Sequence, residues 1–110
     1  MSEEIVITAA DRFTLRNAAG TAERDCACKG WLNHWKNYSE KSAPYCSVDG
    51  CTEMATDGAH VTLPNHADPA TKSRHWIAPM CHDHNMKHGA TFRSIFKVTV
   101  VSANTAETCR

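Results

Sequence analysis

The sequence predicts a small α+β domain whose core is too thin to hold without help, and three observations predict it. Three Leu, four Ile, six Val and three Phe make up 16 of the 110 residues, below the share from which chains assemble a packed core unaided. Twelve Lys and Arg balance twelve Asp and Glu, so the high net charge that accompanies disorder in poorly hydrophobic chains is missing. Six Cys and seven His in so short a chain supply the ligands for a structural metal, one of the few staples available to a domain of this size.

The length suits one domain, 1–110, with a zinc-bound core at 45–89 between an N-terminal extension, 1–44, and a C-terminal strand and tail, 90–110. The opening Met-Ser-Glu-Glu-Ile-Val has neither the basic start nor the apolar run of a secretion signal, and nowhere do 18 apolar residues run together. A soluble, cytoplasmic protein with no membrane contact is expected, and in a reducing compartment cysteine spacing reads as metal before disulfide. Charge neutrality argues against a strongly electrostatic nucleic-acid coat, although residues 29–97 carry 8 basic and 6 acidic side chains.

In the extension, the β-branched run 5–7 reads as a short strand, and 11–25 is open between a hairpin and a loose helix. Trp31, His34, Trp35 and Tyr38 follow the i, i+3, i+4, i+7 spacing of one helical face, which predicts a helix over 30–39 packed on the final strand. The Gly- and Asp-punctuated stretch from Cys46 to Cys51 is a tight knuckle. Strands are expected at 57–63 and 73–78, joined by a polar loop containing Pro64, Asn65, Asp68 and Pro69. A helix over 81–88 begins after Pro79 and stops at Gly89. Phe96, Val98 and Val100 alternate with Lys97 and Thr99, the mark of a half-buried last strand.

Four residues separate Cys46 from Cys51, two separate Cys81 from His84, and 29 lie between the pairs. Each pair closes a small chelate loop and the hairpin closes the large one, so four ligands reach one tetrahedral ion. The second pair opens a helix, whose N-terminus favours the thiolate that zinc requires. Knuckle, hairpin and helix together describe a treble-clef zinc site. Unrelated buried thiols or a Cys46–Cys51 disulfide are the alternatives, and they leave the thin core unexplained. Cys26, Cys28 and Cys109 remain; with His34 they make up a second zinc site, or else His34 is a hydrogen-bonded core residue beside two Trp.

His60 lies mid-strand in Gly-Ala-His-Val, on an arm expected to face the helix that presents Asn85 and His88. An imidazole there is suited to deprotonating a water, while a divalent ion held by Asn85 and His88 polarises a phosphoryl oxygen. The order Cys46-x4-Cys51, Gly58-Ala-His60-Val, Trp76-Ile-Ala-Pro-Met-Cys81-His-Asp-His84-Asn85 resembles the zinc-containing branch of the HNH, or His-Me finger, endonucleases over residues 45–89. The resemblance implies a ββα-metal core, His60 as general base, and Asn85 as a holder of catalytic Mg2+ or another divalent ion. It also implies Cys81 and His84 as the second zinc pair and DNA as substrate. Ala59 departs from the family pattern, which has a metal-binding Asp or His before the catalytic His; Asp57, His75 and His88 are the substitutes at hand. Asn65 is the one candidate for the loop Asn that orients the base. Two functions follow as expectations: a metal-dependent endonuclease of DNA, or a catalytically inactive HNH-derived zinc module, such as a phage or mobile-element accessory protein, that binds protein or nucleic acid.

Overall fold

The segment Asp-Gly-Ala-His-Val-Thr from Asp57 and the unbroken apolar run Trp-Ile-Ala-Pro-Met from Trp76 pair as two strands at the centre of the sheet. A computed structural model describes residues 6–8, 13–18, 31–41, 45–87, 89–95 and 97–103. In chain order these form β1 (Val6–Thr8), β2 (Thr14–Asn17), α1 (Trp31–Ser39), β3 (Asp57–Thr62), α2 (Pro69–Ser73), β4 (Trp76–Met80), α3 (His82–Asn85), β5 (Thr91–Arg93) and β6 (Thr99–Ser102). The strands make one antiparallel sheet of six, ordered β1-β6-β4-β3-β2-β5. Residues before 45 therefore do more than extend the core: β1 and β2 are strands of the same sheet, and α1 lies across it.

Strand periodicity sorts the two faces. Ala59 pairs with Ala78 and Val61 with Trp76, and these four join Leu15, Cys46, Met80, Val98 and Val100 in the larger core. His60 pairs with Ile77, and Ile77 with Val101; on that face Ile77 and Val101 pack with Trp35, Trp31 and Tyr38 of α1. The expected packing of the aromatic helix face on the last strand is thus present. It is fastened by two hydrogen bonds to β6: Trp35 Nε1 donates to the Thr99 carbonyl at 2.9 Å, and His34 Nε2 to that of Ser102 at 2.8 Å. Gly58 makes the close approach possible, because a Cβ there would strike the carbonyl carbon of Trp31 and the nitrogen of Leu32.

Several boundaries differ from expectation. Residues 69–73 form a helical turn rather than loop and strand, because Asp68 caps it by accepting from the Ala70 amide and Pro69 occupies its first turn. The second strand accordingly starts at Trp76. The helix expected over 81–88 is the single turn His82–Asn85, capped at Met86; Gly89, at φ 80°, lies three residues beyond the cap and gives its amide to the Asn17 carbonyl at 2.7 Å. The last strand is shifted to 99–102 and is buried on both faces rather than half-buried, since α1 covers one side and the larger core the other. β5 alternates polar, apolar and polar over only three residues, too few to announce a strand. The segment left open at 11–25 contributes β2; its residues 11–12 and 19–25 lie outside the described ones.

Candidate metal centre

Cys46 and Cys51 flank a turn in which the Cys51 amide donates to the Val48 carbonyl at 3.1 Å and Gly50 takes φ 82°. Cys81 is the N-cap of α3, and His84 sits one turn on. The four ligand atoms all lie within 4.8 Å of one another. Closest are Cys81 Sγ to His84 Nδ1 at 3.2 Å, Cys46 Sγ to His84 Nδ1 at 3.6 Å and Cys51 Sγ to Cys81 Sγ at 4.0 Å. A tetrahedral ion with bonds of about 2.3 Å to sulfur and about 2.0 Å to nitrogen spaces its ligands about 3.5–3.8 Å apart. The measured gaps bracket that figure, and all three cysteines are free thiols. The cluster can bind a metal ion such as zinc.

Burial pushes the Cys46 thiol up to about 12, and the backbone N–H groups of Cys81 and Val48, which hydrogen-bond its sulfur, work in the opposite direction. Without a cation the sulfur keeps its proton; a dication inverts that preference. The same N–H groups then support the thiolate, the outer-shell role that tunes metal sites. His84 is steadied by Phe92, its ring meeting the phenyl edge-on at 5.1 Å. Asn17, at the end of β2, sends its side-chain N–H groups to the carbonyls of Asn85 at 2.6 Å and His84 at 3.2 Å. That amide gives the Asn85 carbonyl a partner, while the His84 carbonyl accepts from the Lys87 amide at 3.1 Å as well. No spacing or composition marked Asn17, because its role exists only once β2 lies beside α3.

His60 and Asn85, expected to act together on substrate, lie on opposite faces of the sheet. Side chains alternate along β3, so Asp57 and Ala59 face α3 while Gly58 and His60 face α1. His60 is 6% exposed and meets the Trp31 ring edge-on at a centroid distance of 4.4 Å. Asn85 instead donates to Asp57 Oδ2 at 2.9 Å, and His82 Nδ1 donates to the same oxygen, also at 2.9 Å. Burial raises the Asp57 carboxyl, but the hydrogen bonds from Asn85, His82 and Thr56 outweigh it and hold the group below its ordinary value. Asn65 gives its amide to Thr14 Oγ1 at 3.0 Å rather than orienting His60. His75 lies just before β4 and its carbonyl accepts from Ala103.

His34 is fully buried. Its Nε2 must carry the proton, since a carbonyl only accepts, and its Nδ1 lone pair has no hydrogen-bond partner among the described residues. His88, Cys26, Cys28 and Cys109 lie outside the described residues. No helix among the described residues is long and apolar enough to cross a membrane. No family model, curated protein or solved structure matches the chain.

Proposed function

We propose that the metal at Cys46, Cys51, Cys81 and His84 is structural zinc in a treble-clef arrangement, and that the chain is a zinc-stapled module that binds nucleic acid without hydrolysing it. The observation that argues against hydrolysis is the position of His60: a general base must reach the water it deprotonates, and this imidazole is buried against Trp31 on the sheet face opposite Asn85. Three thiolates and one imidazole favour zinc over harder ions such as Mg2+. The buried Nδ1 of His34 supports a second zinc shared with Cys26, Cys28 and Cys109.

The endonuclease is the second reading, and one observation favours it. Asp57 gathers Asn85 and His82 beside the zinc ligands, and the His82 side chain is 69% exposed, so a carboxylate, an amide and an open imidazole stand where a catalytic Mg2+ would be held. The test is nicking of supercoiled plasmid in Mg2+, Mn2+ and Ni2+ by the wild type, His60→Ala and His82→Ala. No cleavage by any of them is expected. Wild-type cleavage lost in His60→Ala, with circular dichroism unchanged, overturns the proposal outright; cleavage lost only in His82→Ala replaces it with the second reading.

A further inference from the structure

On the far side of the knuckle from α3, the end of α1, the start of the knuckle and the β5–β6 connection enclose a crevice of about 170 Å³. Its floor is apolar, made by Trp35, Pro79 and Val98, and its rim carries Lys41, Lys97 and Tyr45. No carboxylate lines it among the described residues. Tyr45 pairs its backbone with Met54 and leaves its side chain 56% exposed at the mouth of the crevice. We propose that this crevice holds one nucleotide of a single-stranded nucleic acid, with the base against Tyr45 and the apolar floor and the phosphate between the two lysines.

Size, charge and backbone each point the same way. The volume falls below the roughly 300 Å³ at which pockets enclose drug-sized ligands, yet it admits a single planar ring. Two ammonium groups over an apolar, aromatic floor match a phosphate joined to a base, the pairing by which proteins track single strands. A duplex keeps its base faces stacked and cannot offer one to the floor. Lys41 is fixed by one of its N–H groups, which donates to Thr99 Oγ1 at 3.0 Å, and an ammonium has two more to give. Lys97 takes φ 58°, and Lys41 follows Glu40, also at φ 58°. The Glu40 bend closes α1, its amide on the Lys36 carbonyl at 3.1 Å, and sets the direction of Lys41; the bend at Lys97 is the one on the rim that carries a conformational cost of the kind found at ligand clamps.

The inference rests on the binding-module reading for its choice of nucleic acid, but its test is separate, since binding is measured without cleavage. Fluorescence anisotropy of a fluorescein-labelled deoxythymidine decamer is recorded from about 50 to about 200 mM salt, alongside a duplex of equal length and a glutamate decapeptide. The single strand is expected to bind, with log K falling against log salt at a slope of about −1.4 for two neutralised phosphates. Lys41→Gln with Lys97→Gln should remove most of that slope, and Tyr45→Ala should weaken binding about 10-fold. All three side chains are exposed, so circular dichroism of the variants should match the wild type. Equal binding of duplex or peptide overturns the proposal, as does unchanged affinity in either variant. Binding of thymidine monophosphate without binding of the decamer also overturns it, by making the ligand a free nucleotide.

Discussion

Asn17→Ala removes the only side-chain amide that reaches the end of α3 among the described residues. The residue is 1% exposed, and its two N–H contacts at 2.6 and 3.2 Å end on the carbonyls of Asn85 and His84. Alanine strips the Asn85 carbonyl of that donor, while the His84 carbonyl keeps the Lys87 amide at 3.1 Å and the backbone bonds of Asn17 to Ala90 and Gly89 remain. A buried polar group stripped of its partner costs about 1–3 kcal/mol, and in a domain near this size each kcal/mol lowers Tm by about 4–8 °C. A fall of roughly 5–20 °C is expected. The second effect is on the metal. His84 sits on the turn that Asn17 anchors, and losing an outer-shell partner typically weakens metal affinity about 10- to 100-fold. Thermal melting of the zinc form and competition against a chromophoric chelator measure the two effects. Asn17→Asp should do at least as much damage, because a carboxylate only accepts and would face two carbonyl oxygens. Equal Tm and equal zinc affinity in Asn17→Ala and the wild type would refute the reasoning.

Zinc removal should unfold the chain, because structural zinc contributes about 10–16 kcal/mol in small domains while whole domains are stable by about 5–15 kcal/mol; circular dichroism unchanged after exhaustive chelation contradicts this. Native mass spectrometry should find two zinc ions per chain, and a single ion dismisses the site at Cys26, Cys28, His34 and Cys109. Gly58→Ala drives a methyl into the backbone of Trp31 and Leu32, and at the usual overpacking cost of about 1–3 kcal/mol it should lower Tm and shift tryptophan emission to the red. Burial lowers the His34 pKa against the opposing hydrogen bond to Ser102. The unfolded chain then binds the proton more readily, so the stability from neutral His34 is present above its unfolded value of about 6.5 and is lost as pH falls below it. Zinc on Nδ1 excludes the same proton and acts in the same direction, so His34→Gln should flatten that part of the acid limb in urea unfolding, and an unaltered limb counts against both.

The four residues able to hold a metal could be read from the sequence because each pair, Cys46 with Cys51 and Cys81 with His84, has the spacing of a local chelate. The helix carrying Trp31, His34, Trp35 and Tyr38 was legible for the same reason, since its periodicity is set within two turns. β2 and β5 were not, because strands of four and three residues have little pattern of their own and exist by pairing with each other and, through β2, with β3. The turn at 69–73 was signalled by Asp68 and Pro69, which serve loops and helix starts equally. Alternation alone says that His60 and Asp57 point to opposite sides of a strand; it does not say which side receives α1 and which α3. That choice belongs to tertiary packing, made where Gly58 lets the Trp31 backbone descend onto the sheet. The sequence by itself marked two chelating pairs and an aromatic helix, because each depends on neighbours a few residues apart; that the pairs meet in one cluster is the work of the strands that join them. Only the tertiary structure decided that His60 is covered, that Asp57 takes up Asn85 and His82, and that two lysines meet Tyr45 over an apolar crevice, because those contacts join residues whose separation along the chain carries no information about their separation in space.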